Sequence, residues 1–252
     1  MRMGAVWSLL MSSQRPSTNP LKEVLRAASK TFPGRSTAQG ADTVALVEAL
    51  ARLRLDNLGI PLPEDDLSSP SNPAEVRALA GKRPHLRYLS LDETDDYSMG
   101  VFFLPRYSRI PLHDHISMSV ASKLLYGTME VSNYNLLDTD PAEAQTAGSR
   151  VEHVSTIVRS DEGDVHSVQT LSPGFANVHE IMACTDCAML DIIGPPYSQP
   201  LRSCQYYELR GGDQLVPIDE PRDFRCRSIS MPAVSQRVAE LLDEIALERD
   251  AP

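Results

Sequence analysis

A mainly β protein, built as a sandwich or jelly-roll barrel with helices before it and a short helix after it, is what three features of the 252-residue sequence predict. From about Leu86 to Tyr207 the apolar residues fall in short or alternating runs, such as "HLRYLSL", "MGVFFLP", "SVASKLLYGTMEVSNYNLL" and "CAMLDIIG". These are strand lengths, and Pro, Gly, Asp and Ser punctuate them. Folding many short strands into two sheets over one core protects their edges. The segments on either side carry helical periodicity instead.

Residues 1–18 read as a flexible N-terminal extension and residues 19–252 as a single domain, with 19–60 its helical preface. In the preface "LKEVLRAASKTF" and "TVALVEALARLRLDNL" are helical, parted by a Pro-Gly-Arg-Ser turn. Asp42 or Thr43 is placed to cap the second helix, whose stripe of Leu46, Val47, Leu50 and Leu53 suits packing on its own domain. A Pro-, Ser- and Asp-rich connector, "IPLPEDDLSSPSNP", leads to the strands. Residues 138–150 read as a polar connecting loop and a candidate mobile insertion. "AVSQRVAELLDEIALERD" closes the chain as an amphipathic helix.

Composition narrows the function classes. Residues 1–60 hold eight basic and four acidic side chains, leaving 16 basic and 30 acidic for the remainder. So acidic a main domain lacks the cationic surface that nucleic-acid binding requires. No apolar run approaches the roughly 20 residues that cross a bilayer, and "AVWSLLM" lacks the flanks of a secretion signal. A soluble, intracellular protein with no membrane or nucleic-acid partner is expected. With Arg2, Arg15, several serines and no acid, residues 1–18 fit an organellar leader or a plain disordered tail. Four scattered cysteines make no disulfide framework. Cys184 and Cys187 lie in an apolar run read as one strand, where an offset of three sends side chains to opposite faces, against a redox or zinc pair.

Two of the six histidines, His113 and His115, stand one residue apart in "IPLHDHISMSV". On a strand that spacing puts both imidazoles on one face and turns Asp114 away. The pair alone fits two readings, a hydrogen-bonded pair at a strand end or two ligands of a metal whose third ligand lies elsewhere. His85, His153 and His166 have no comparable context and read as surface or core histidines.

After the pair comes "KLLYGTMEV", with Gly127 at the glycine position of the cupin pattern HxH-x4-E-x6-G and Val120 at the position of its acid. Loss of the acid with retention of the glycine resembles the thiol dioxygenase branch of the cupins. "SPGFANVHEIMACTDCAMLDIIGPPYS" resembles the second metal motif of the cysteamine dioxygenase and plant cysteine oxidase family, and "LRLDNLGI", "RIPLHDH", "CQYY" and "DFRC" follow the family order across residues 19–230. Ile116-Ser117 and Phe175-Ala176 depart from the glycine-containing turns common before and after these histidines, where a Cβ alters what glycine permits.

The resemblance implies a cupin-type barrel with one Fe(II) on His113, His115 and His179, and O2 as co-substrate. It implies a sulfur oxidation to the sulfinic acid level, on cysteine at a free protein N-terminus in oxygen-sensing degradation, or on a small aminothiol such as cysteamine. It also implies a monomer in cytoplasm or nucleus. Asp191 resembles the family's acid near the substrate amine, although a buried structural carboxylate fits as well; Tyr197 is either a pocket hydrogen-bonding group or a barrel-wall residue. Cys204 and Tyr206 match a segment that carries a Cys–Tyr crosslink in some members, with ordinary packing the alternative. A catalytically idle cupin and a zinc or manganese isomerase or hydrolase are the rival readings.

Overall fold

Asn19 and Pro20 start the first helix. In the computed structural model, which describes residues 19–32, 42–61, 84–137, 141–159 and 165–250, Asn19 Oδ1 accepts from the amides of Leu21 and Lys22, and α1 runs Pro20–Thr31. Leu21, Val24, Leu25 and Ala28 recur at helical spacing and are fully buried. The candidate extension at 1–18 and residues 62–73 of the connector lie outside the described residues.

The second helix is shorter than its periodicity predicts. α2 spans Val44–Ala51, and a separate 3-10 turn follows at Leu55–Leu58. Leu53, Leu55 and Leu58 are all buried. Two positions 200° apart on an α-helix cannot both face one core, so the break after Ala51 allows Leu53 and Leu55 to be buried together. Asp42 accepts from the Val44 amide, while the Thr43 side chain makes no capping bond. Leu46, Leu50 and Leu53 join the same core as α1, with Val47 packed at its margin.

Twelve strands follow among the described residues: β1 Leu86–Glu93, β2 Ser98–Leu104, β3 Arg109–Asp114, β4 Ser119–Tyr126, β5 Thr128–Leu136, β6 Ser149–Arg159, β7 Val168–Leu171, β8 Val178–Ala183, β9 Cys187–Gly194, β10 Tyr206–Arg210, β11 Gln214–Ile218 and β12 Cys226–Ser228. They form a six-stranded sheet, β12-β1-β2-β9-β4-β7, and a closed six-stranded barrel, β10-β11-β6-β5-β8-β3. The result is the expected mainly β, jelly-roll architecture. Gly127 carries the chain from β4 in the sheet to β5 in the barrel at φ +91°, and a Cβ there would overlap the Asp186 carbonyl.

The central strands of the sheet are buried on both faces. Inward, Leu86, Leu104, Leu124 and Met189 meet Met129, Val131 and Ile181 of the barrel. Outward, Leu89, Met99, Val101, Leu190 and Ile192 pack against α1, α2 and the terminal helix. That double burial explains why "CAMLDIIG" is apolar on both faces, Asp191 excepted, rather than alternating.

Three further expectations need correction. Residues 141–147 are a helix, α3 (Pro141–Ala147), not a loop; Pro141 at its start and Gly148 at φ +80° just beyond it are ordinary helix punctuation, and Ala144 is fully buried. Cys184 and Cys187 are not in one strand but flank the turn joining β8 to β9. Both are buried thiols outside any disulfide, and burial pushes Cys187 up to about 12. The terminal helix is α4, Pro232–Arg249, the longest of the described helices rather than a short one; Lys22 of α1 pairs with its Glu244 and Glu248 at 2.6 and 2.9 Å. No described helix is long and apolar enough to cross a membrane.

Candidate metal centre

β3 and β8 run antiparallel with His113 directly opposite His179. Between Ile110 and His113 the register slips, placing a bulge at Pro111–Leu112. A bulge tolerates proline, which has no amide to give the ladder, and it re-aims the residues beyond it. Ile110 and His113, three apart, therefore both face one cavity, as does His115 just past the end of the strand.

The three rings pack with centroids 4.6 to 4.9 Å apart, and one nitrogen of each lies within 4.8 Å of the others. Their tautomers are largely set. His113 Nδ1 lies 2.8 Å from the Pro111 carbonyl, which can only accept, so the proton is on Nδ1 and the Nε2 lone pair is free. The Tyr197 hydroxyl is 2.8 Å from the Asp114 carbonyl and 2.9 Å from His115 Nδ1. Its single proton goes to the carbonyl, so His115 donates from Nδ1 and its Nε2 is also a lone pair. His115 Nε2 then faces His179 Nε2 at 3.0 Å, a gap that a proton on His179 or a shared cation bridges. Burial lowers the pKa of all three, His113 to about 4, so they are neutral donors at neutral pH.

This donor set suits a transition metal held on one face with open positions on the other. Among the described residues no carboxylate joins the group. Val120, at the acid position of the cupin pattern, is fully buried against Leu171, Ala176 and Ile193.

The surrounding contacts fix the ligands. Asp114 points to the other face of β3, as the HxH spacing predicts, and accepts from Tyr207 Oη at 2.7 Å, the Gln205 amide at 3.0 Å and Gln145 of α3 at 3.1 Å. Asn177, which sequence reasoning missed, ties the two ligand segments together: its side chain donates to the His115 carbonyl at 2.7 Å and accepts from the His115 amide at 3.3 Å. The substituted turns keep the glycine-like conformation, with Ser117 at φ +55° and Ala176 at φ +54°. A Cβ in that region is strained by about 1–2 kcal/mol, so the two replacements alter the strain of the turns and not their path.

The three histidines stand in a cavity of about 430 Å³, also lined by Tyr88, Phe102, Asp191, Tyr197, Cys204, Tyr206, Phe224, Cys226 and Ser228. Asp191 lies on β9 opposite Ser122 and Gly100. Its Oδ1 is buried without a partner among the described residues, and burial pushes the carboxyl up to about 6 against a hydrogen bond from Ser122. Tyr88 lies over Gly100 where any Cβ would collide with its ring, and it feels the Asp191 charge. Cys204 and Tyr206, the suspected Cys–Tyr pair, line this cavity together with Tyr197, and burial raises the Cys204 thiol to about 12. His85 and His166 are exposed, and exposed His153 stacks on Tyr134 at 4.7 Å, all away from the cavity.

The PCO_ADO family matches residues 50–232. The chain belongs to this family. Within PCO_ADO it is 33% identical over 192 residues to plant cysteine oxidase 2 of Arabidopsis thaliana, covering 75% of this chain and 66% of that one. It is 33% identical over 165 residues to plant cysteine oxidase 1, covering 64% and 53%. With the 2-aminoethanethiol dioxygenase of Homo sapiens it shares 30% over 239 residues, covering 84% and 86%. The match thus spans about half to two thirds of the plant relatives. A solved RmlC-like cupin protein from Desulfovibrio desulfuricans is 17% identical with a TM-score of 0.31, covering 54% of this chain and 99% of that one, a likeness that carries no functional argument.

Proposed function

We propose that this member of PCO_ADO is a non-haem iron(II) thiol dioxygenase acting on the N-terminal cysteine of a protein or peptide. The observation that carries the reading is one cavity joining three neutral imidazoles, with no acid among them, to the buried carboxylate of Asp191, whose Oδ1 has no partner among the described residues. His113, His115 and His179 would hold the iron. Bound there by neutral ligands, Fe(II) keeps its full charge, favours thiolate over thiol and activates dioxygen toward sulfur.

The chain's residues supply the rest. Asp191 pairs with the substrate ammonium, which gives its buried Oδ1 a partner and aims the sulfur toward the histidines. Tyr197 and the Pro111 carbonyl hold two imidazoles with Nε2 toward the metal position. Phe102, Ile110, Ile181 and Phe224 line the walls and keep water from the sulfur. In the net reaction a thiol and O2 give a sulfinic acid: the O–O bond breaks, two S–O bonds form, and sulfur gives the four electrons that the oxygen atoms accept.

A small aminothiol such as cysteamine meets the same two anchors, thiol at the histidines and ammonium at Asp191. The test is mass spectrometry of a cysteine-initiated peptide and of cysteamine, each incubated with iron-loaded protein in air. A gain of two oxygen atoms on the peptide, at higher kcat/KM than on cysteamine, supports the reading. An iron-loaded protein inert toward both sinks it, and an idle cupin is then the alternative.

A further inference from the structure

We propose that the open edge of β12 docks the backbone of the peptide substrate, which joins the sheet as an added strand beyond its N-terminal cysteine; this rests on the peptide-oxidising reading above. β12 is the terminal strand of the open sheet and pairs only with β1 among the described strands. The Leu86 amide donates to the Arg225 carbonyl at 2.9 Å, and the Ile229 amide donates to the Tyr88 carbonyl at 2.8 Å. The alternation of a parallel pair assigns both backbone groups of Arg227 to β1 as well. The amides and carbonyls of Cys226 and Ser228 therefore point to the open edge, and all three β12 residues are exposed. Such an edge is a template for another strand.

Its position relative to the cavity selects the occupant. The side chains of Cys226 and Ser228 line the same cavity as the three histidines and Asp191, so the edge begins where the cavity ends. From Asp191 on β9 the sheet crosses β2 and β1 to reach β12, with Ser228 beside Tyr88 and Tyr88 beside Phe102. Three strand spacings of about 4.8 Å separate β9 from β12, a distance an extended chain crosses in about four residues. A peptide held by its amine at Asp191 thus reaches the edge near its fifth residue, whereas a small aminothiol never does. Recognition through main-chain hydrogen bonds asks little of the side chains that follow the cysteine, which suits substrates sharing only that terminal residue.

Two measurements on the iron-loaded, full-length protein test this. The first follows amide hydrogen exchange without oxygen, with and without a cysteine-initiated decapeptide. Slowed exchange at Cys226 and Ser228 on peptide binding is expected. The second compares KM for peptides of two to ten residues and for decapeptides N-methylated at single positions. KM is expected to fall about tenfold once the peptide passes five residues, and methylation to restore it at alternate positions only, since a strand's amides face its partner every second residue.

Peptides that are oxidised with a KM independent of length, and leave β12 exchange unchanged, overturn the docking edge but not the activity. Protection of the β12 amides in the free protein together with a dimeric mass puts a second copy on the edge and overturns it too. Failure to oxidise any thiol, with no exchange response, removes both proposals.

Discussion

The Tyr197 hydroxyl accepts a hydrogen bond from His115 Nδ1–H at 2.9 Å while donating one to the Asp114 carbonyl at 2.8 Å. One side chain from the loop after β9 thereby sets which nitrogen of His115 faces the centre. Removing the hydroxyl frees the imidazole to flip tautomer. Y197F is expected to fold as the wild type does and to bind Fe(II) about 10–100-fold more weakly, the usual loss for such an outer partner. Competition with a chelator measures it, and an unchanged dissociation constant contradicts the assignment.

Asp191 has a stability signature separate from its proposed role with substrate. Its carboxyl is raised to about 6 by burial, above the value of about 3.9 in an unfolded chain. The folded state therefore holds a proton that the unfolded state has lost between pH 4 and 6, and stability falls across that window as pH rises, by up to about 3 kcal/mol. Relative to wild type, D191N should gain stability between pH 4 and 6 and lose peptide turnover. The wild-type kcat/KM should also fall as pH drops through about 6, where the carboxylate is protonated. Denaturant titrations at several pH values check the first part, and a D191N protein with the wild-type pH dependence rejects it.

Ser117 and Ala176 hold positive φ without being glycine. Relief of about 1–2 kcal/mol of strain outweighs the roughly 0.5–1 kcal/mol that glycine's extra freedom in the unfolded chain takes away. S117G and A176G are each expected to stabilise the fold by about 0.5 kcal/mol in urea unfolding. A loss of stability in both shows that these turns are not strained.

The four thiols differ in access. Cys226 is exposed, whereas Cys184 and Cys187 are buried and Cys187 donates to the Thr128 carbonyl at 3.1 Å. Brief alkylation of the native protein followed by peptide mapping should label Cys226 first and leave Cys184 and Cys187 unlabelled until unfolding. Early labelling of Cys187 contradicts the burial of the β8–β9 turn.

Much of this was legible in the sequence because periodicity reports burial directly. The strand runs, the α1 stripe and the terminal helix follow from it, and the HxH spacing rightly sends Asp114 away from His113 and His115. Other features depend on contacts between distant segments. Pro111 signals a bulge only once β8 is known to pair across it. The break before Leu55 reflects a core that takes Leu53 and Leu55 together. Asn177 matters because the turn after His115 comes to rest on it, and the helix at 141–147 was hidden by polar composition although its proline and glycine were in view. The Cys184–Cys187 pair was misplaced because one apolar run spans two strands and the turn between them.

The most direct test of the three-histidine cluster as the proposed sulfur-oxidising iron centre is to incubate iron-loaded protein with a cysteine-initiated peptide under isotopically heavy dioxygen in ordinary water, with H179A in parallel. A peptide sulfinic acid carrying two heavy oxygen atoms is expected, with an H179A protein that neither retains iron nor forms the product. Product oxygen drawn from water, or an H179A protein that keeps both iron and activity, would contradict it.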